Sequence, residues 1–409
     1  MGRRHPPAPE QTPGQPMRFI YLDDLKVILI AAIIAIHGVL GYAGFDQYWS
    51  YADVQETVLE PVTEFVLLAF IGPFALFMIA LLFLVAGLLA APSVQRKGTR
   101  QFVRDRLLRL GVPFAAFTLV LWPLLMYSLY HPLGEAPGSY WEEFLSDEGY
   151  LDAGPIWFVG VLLIFSLVYA ALNLAAESYS QRRRRPPGVR TLRIERQNLS
   201  SGPRFVHLLL LAAAVAAASF LVRLAYPFGT ETVTDLNPWE WPACVALFGL
   251  GIAASGWEWQ VKVPDGLRRA CRNLTLAAAG AAPGLLFLAY TGEAIQDMLG
   301  GWNWPALIFA GVESILSVFG PVWILGAAQQ HPGPQHHGRF GRWGPALRRS
   351  SYAAFLVQGP VLIGLALALR PVPVPAGVKA VVVALGGVAG SFALGWLLIK
   401  RVPGLAKVL

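Results

Sequence analysis

Three ionisable side chains fall inside otherwise apolar stretches of this sequence: His37, Arg223 and Glu313. Such groups are costly at membrane depth, so by default they point to function. His37 ends the stretch Phe19 to Gly44, which opens on Asp23, Asp24 and Lys26 and then runs aliphatic. Lys26 and His37 are eleven residues apart. At about 100° and 1.5 Å per residue, that puts both on one helix face about 16 Å apart, with Asp23 near the same face. Counted the same way, His37 lies about 9 Å and Glu313 about 13 Å from the outer ends of their spans. The two are therefore expected to meet in the outer half of the membrane. There a carboxylate would fix the imidazole tautomer and support general-base catalysis. Arg223 lies about one turn from its outer end. It is open between a substrate contact and an interfacial anchor.

A second set of residues sits in SVQRKGTRQFVRDRLLRLGVPF, Ser93 to Phe114. Arg106 and Arg109, three apart, share a helix face, and Arg100 and Arg104 are four apart. Planar guanidinium groups at a helix entrance suit bidentate capture of phosphate. The same charges also serve ordinary membrane topology. No phosphate-binding loop, nucleophile elbow, dinucleotide fingerprint or metal-spaced Cys/His set occurs. His331, His336 and His337 lie in a Gly/Pro-rich segment and read as linker, so no metal is expected.

The elements that must position these residues are membrane helices. Hydrophobic residues make up 55% of the chain and charged residues 14%, against about 25% charged in a soluble protein. Mean hydropathy is +0.52. Apolar runs at about 19–44, 64–91, 111–130, 155–175, 205–226, 242–257, 274–291, 304–328, 352–369 and 379–399 predict about ten spanning helices. The fold expected is an all-α polytopic bundle in the inner or plasma membrane. The net charge of +7 is concentrated in the tail and in 92–110, 176–204, 258–273, 329–350 and 400–409. The segments 45–63, 131–154, 227–241 and 292–303 hold Asp and Glu but no Lys or Arg. This alternation sets aside nucleic acid as a partner and places both termini in the cytoplasm. Arg370 and Lys379 are the exceptions on the outer side. Residues 1–17 read as a disordered Pro-rich tail, and 18–409 as a single transmembrane domain.

Smaller signals follow the same plan. Tyr48, Trp49, Tyr51, Tyr140, Trp141, Trp239, Trp241, Trp302 and Trp304 cluster at the outer ends, as an interfacial belt or as stacking platforms for a sugar. Gly386 and Gly390 look like helix-packing positions. Cys244 and Cys271, at opposite ends of one predicted span, are not expected to pair.

These stretches together resemble the acyltransferase 3 family of integral membrane acyltransferases. YLDDLK followed by His37 is similar to the family's first helix, with Lys26 in place of its Arg. Phe83, Gly87, Ser93, Arg96, Lys97, Gly98, Arg106, Arg109, Leu110, Pro113 and Phe114 follow the second helix and its exit. Gly154 to Ala170, Ser219 to Gly229, Ala246 to Trp257 and Ser351 to Val361 resemble later parts of it. The resemblance implies transfer of an acyl group, often acetyl, from an acyl-CoA co-substrate to a hydroxyl on a cell-surface carbohydrate, glycolipid or related acceptor. It implies that Arg106 and Arg109, helped by Arg104 and Lys97, hold the donor phosphates on the cytoplasmic side. His37 would act near the acceptor, as general base or as acyl carrier. Asp23, Lys26, Arg223 and Trp157 would lie near substrate. No bound cofactor is expected. Lys26 keeps the charge of the family's Arg but not its planar fork. Gln358 stands where many members have His, so no proton transfer is expected from it. The rival reading is a proton-coupled transporter or flippase of a glycan precursor, which asks for an internal repeat with broken helices. No convincing repeat is present.

Overall fold

The structure, a computed structural model, describes residues 19–44, 55–130, 152–182, 202–230, 232, 235–257, 259, 262–330, 340–402 and 404. The tail, His331, His336, His337, Tyr48, Trp49, Tyr51, Tyr140 and Trp141 lie outside the described residues. Among the described residues there is no strand.

Among the described residues ten long helices follow in chain order: α1 Ile20–Leu40, α2 Pro61–Lys97, α3 Thr99–Ser128, α4 Trp157–Arg182, α5 Phe205–Val222, α6 Trp241–Ala254, α7 Asp265–Thr291, α8 Trp304–Gln330, α9 Gly344–Leu369 and α10 Ala376–Arg401. Eight of them are long and apolar enough to cross a membrane. The two that fall short are α1, which carries Asp23, Asp24 and Lys26 in its first turns, and α6, which has 14 residues. Several helices also outrun their apolar runs. The first six-residue extension is on α2, which continues from 91 through Arg96 and Lys97, because Gln, Arg and Lys are good helix formers whatever their hydropathy. Gly98 stops α2 with a φ of +79°, a left-handed conformation that costs glycine little.

The element α3 is the least regular. It widens to π-helical turns at Leu107–Gly111 and Phe117–Leu121, just ahead of Pro113 and Pro123. A proline has no N–H to return to the carbonyl four residues back. At Pro113 the carbonyl affected is that of Arg109, and the Tyr352 hydroxyl on α9 donates to it at 2.8 Å.

Packing is closest where glycines remove side chains between helices, the usual solution when lipid is the solvent. A Cβ on Gly38 would lie 2.8 Å from the Ala384 Cα, so α1 and α10 meet backbone to backbone beside His37. A Cβ on Gly387 would clash with the Leu362 side chain of α9, and one on Gly395 would lie 2.7 Å from the Ala354 backbone nitrogen. A Cβ on Gly386 or Gly390 would lie 3.2 Å from Leu365 or 3.0 Å from Val361, so they do pack, though less tightly than Gly387. Gly87 and Gly251 mark the crossing of α2 and α6. At the centre Phe83 of α2 touches Phe158 and Phe165 of α4, Phe165 touches Phe248 of α6, and Phe158 touches Phe355 of α9. We expect Gly38→Leu to drive α1 off α10 and cost about 1–3 kcal/mol, as overpacking does. Gly72→Leu, where a Cβ meets nothing within 4 Å, should be nearly neutral; thermal unfolding in detergent would separate the two.

The helix ends sort onto two faces. On one, Gln329 at the end of α8 bonds the Tyr21 hydroxyl, the Trp259 carbonyl and the Val263 amide, and Asp24 of α1 meets Arg348 of α9. On the other, Leu59 bonds the Tyr42 carbonyl, and Lys379 is buried in an ion pair with Glu56 at 2.7 Å. That pair accounts for one of the two cations that break the charge alternation, since its charge is neutralised locally. The outer aromatics divide as well: Trp302 and Trp304 are 80% and 76% exposed, whereas Trp239 is buried. Cys244 and Cys271 are both buried and free.

Candidate active site

His37 lies one turn from the end of α1 and is half-buried. Its Nδ1 is 3.0 Å from Oε1 of Gln358, which is fully buried on α9. The expected orienter was Glu313, and the structure corrects this. Both Glu313 oxygens are taken by Arg223, with Nη1 to Oε2 at 2.7 Å and Nη2 to Oε1 at 2.8 Å. The two side chains are 1% and 3% exposed. The Arg223 guanidinium also lies 5.0 Å from the Phe228 ring and 5.1 Å from the Phe309 ring. A guanidinium so enclosed is neither a snorkelling anchor nor an open substrate contact. Counting helical rise gave the depth of Glu313 but not the direction of its side chain, and direction decides the partner. Near this pair sits Glu240, half-buried in the turn before α6. Burial pushes its carboxyl upward, the Glu313 charge adds to this, and Arg223 opposes it.

At the start of α1, Lys26 reaches Asp23 at 3.5 Å, one turn away, and both stay partly exposed. The buried acid is instead Asp24, held by Arg348 of α9. The sequence reading passed over this pair. Its only signal was that Asp24 shares the helix face of Val27, a core position, where a charge must be paired.

The basic segment is assembled on α3. Arg106 is half-buried, with its guanidinium 5.0 Å over the Phe102 ring. Arg109 and Arg104 are exposed. The charges of Arg106 and Arg109 repel one another, and neither forms an ion pair among the described residues. Two cations held together in this way are suited to an anion with more than one oxygen. Lys97 differs: its ammonium is bound by Asp105, which also accepts from Gln101 at 2.7 Å.

Trp157 begins α4 and packs half-buried on the core. Against the turn that precedes α4 lies a residue that sequence reasoning missed. Trp122 is buried, stacks on Phe117 at 5.4 Å and donates its indole N–H to Asp152. Gly154, at φ +47°, and Gly359 make its slot, because a Cβ on either would lie 2.6 or 2.8 Å from the indole. The slot abuts Gln358.

Helix α9 ties these parts together. Arg348, Tyr352 and Gln358 bond Asp24, the Arg109 carbonyl and His37 in turn. Tyr352 and Gln358 are six residues apart, about 9 Å along the axis. The imidazole and the arginine pair are thus fastened to one rigid rod at two levels. Among the described residues no group of three His, Cys, Asp or Glu side chains is placed to hold a metal.

The fold and the charged groups inside it define a polytopic helical membrane protein. A family model described as an acyltransferase domain, acyltransferase 3, matches residues 19–400. The chain belongs to that family and is an acyltransferase, moving groups other than amino-acyl groups. No curated protein and no solved structure matches it.

Proposed function

We propose that this acyltransferase moves an acyl group, acetyl in the simplest case, from acyl-CoA to a hydroxyl of a cell-surface carbohydrate or glycolipid. The observation that carries this reading is the imidazole–carboxamide pair, His37 with Gln358, on the same helix that braces Arg109 through Tyr352. Arg106 and Arg109, with Arg104 beside them, bind the donor phosphates; Lys97, already engaged by Asp105, contributes less. Asp23, Lys26 and Trp157 border the path rather than the reacting atoms. His37 Nε2 takes the proton of the acceptor hydroxyl as its oxygen attacks the thioester carbonyl. The leaving thiolate then recovers that proton.

The two-faced sorting of helix ends supports ten crossings with both termini in the cytoplasm, α1 and α6 completing the eight that qualify on apolarity alone. Cation-rich segments then face inward, and one domain over 18–409 spans the inner or plasma membrane. Among the described residues the widened turns are confined to α3, with no counterpart in a second half. Such a pair is what the carrier reading requires.

The test of the donor site is Arg106→Ala/Arg109→Ala. A hydrogen bond to a charged group contributes about 1.5–3 kcal/mol, so losing two should raise KM for acetyl-CoA roughly 10²-fold or more, with a smaller change in kcat. Thiol release by membrane vesicles carrying the full chain reads both. An unchanged KM would remove the phosphate role from these arginines.

A further inference from the structure

The segment that leads into α2 is tied down just outward of the imidazole. His37 is bounded by its own α1, by α9 through Gln358, and by α10, whose Ala384 backbone meets Gly38. Residues 55–60 cross the outer ends of these three helices without regular structure. Gln55 donates its side-chain N–H to the Ala43 carbonyl, and the Leu59 amide donates to the Tyr42 carbonyl, both just past the end of α1. Glu56 accepts from the Lys379 ammonium at 2.7 Å. The same ammonium donates at 3.3 Å to the Arg370 carbonyl, at the end of α9. Lys379 stands five residues outward of Ala384, and Tyr42 five residues outward of His37. Both ties therefore lie about 8 Å further out than the ring. One ammonium fastens the segment to α9 and α10, and two backbone carbonyls fasten it to α1.

We propose that residues 55–60 are a gate over His37, latched by Glu56 on Lys379, that opens for the acceptor and shuts water out during transfer. This inference rests on the reading of His37 as the base and of this face as the outer one. The latch gives a reason for a cation where the outer segments otherwise carry almost none. A Lys on that face runs against the usual distribution, and this one is buried against a carboxylate supplied by the gate itself. The gate is also lightly held. Of its side chains only Leu59 is buried, and a buried ion pair gains little net energy because desolvation offsets the attraction. Segments with few buried contacts open at low cost. The ion pair thus sets where the gate closes rather than how firmly. Closure has a use here, since bulk water at the imidazole would compete with the acceptor hydroxyl for the thioester.

Holding the gate shut supplies the experiment. The full chain in detergent is given acetyl-CoA labelled in its acetyl group. The acceptor is surface glycan from the producing cells, stripped of its esters by mild alkali. Label on the glycan and thiol released are both counted. Glu56→Cys/Lys379→Cys is bridged by a bis-methanethiosulfonate, which dithiothreitol removes. Before bridging, this variant is expected to label the glycan within about threefold of the parent. It should release more thiol per acetyl transferred, because its latch is gone. Bridging should lower glycan labelling about tenfold or more, leave KM for acetyl-CoA within about threefold, and reverse on reduction. A Cβ on Gly377 would lie 4.0 Å from the Leu59 side chain. Leu59→Cys/Gly377→Cys therefore offers a second bridge with the ion pair intact, and it should respond in the same way. The parent treated alike controls for Cys244 and Cys271, which are buried. Labelling that survives bridging in both pairs overturns the gate. A parent-like ratio of thiol to transferred acetyl in unbridged Glu56→Cys/Lys379→Cys overturns the latch. His37→Ala is run alongside. Loss there with labelling kept in both bridged pairs overturns this proposal alone; parent-level labelling by His37→Ala overturns the base reading beneath it.

Discussion

His37→Ala is expected to lower acyl transfer by roughly 10²- to 10⁴-fold, the range that a positioned general base supplies. The loss should appear in kcat far more than in KM for the donor, because the ring and the arginine segment meet α9 at separate residues, Gln358 and Tyr352. The variant should still fold. His37 is half-buried, and its removal leaves the Gln358 oxygen without that partner, at a cost of about 1–3 kcal/mol. The helix contacts beside it run through Gly38 and Ile34, which remain. Two readouts check the result: thioester consumption in vesicles, and the mass of surface glycans from cells making either protein. A deficit of one acetyl unit per site would identify donor and acceptor class together. Parent-level transfer by His37→Ala would remove the base from the mechanism.

The largest effect on stability is expected at Arg223 and Glu313. Each is almost fully enclosed, and the two meet in an ion pair at 2.7 Å with a hydrogen bond beside it at 2.8 Å. Removing one partner strands a charge away from water, which typically costs about 3–5 kcal/mol. Arg223→Leu should be the worse single change. It leaves Glu313 near Glu240, whose carboxyl the burial and the Glu313 charge already push upward, and it removes the cation from between Phe228 and Phe309. Glu313→Leu is milder, because Arg223 keeps the nearby Glu240. The double variant Arg223→Leu/Glu313→Leu should be more stable than either single variant, since no isolated charge remains. Thermal unfolding of the four proteins forms a double-mutant cycle. Additive losses would show that the pair is not coupled, contrary to its geometry.

These two cases mark where local reading stops. Hydropathy runs and the distribution of Lys and Arg depend on residues close together in the chain, and they foretold an all-helical membrane bundle. The spacing of YLDDLK and His37, and of Arg106 and Arg109, was legible for the same reason and carried the likeness to the family that now includes this chain. The sequence also made clear which residues are too polar for their surroundings. It did not show which of them face one another. His37 and Gln358 are 321 residues apart, Asp24 and Arg348 are 324, Tyr352 and Arg109 are 243, and Arg223 and Glu313 are 90. Helical periodicity sets the height and angle of a side chain on its own helix. Its partner depends on how that helix is rotated against its neighbours, and glycine contacts such as Gly38 on Ala384 and Gly387 on Leu362 settle that rotation only when the bundle closes. Chain-local chemistry therefore determined the class of protein and its candidate residues, and tertiary packing alone decided that an amide rather than a carboxylate holds the imidazole.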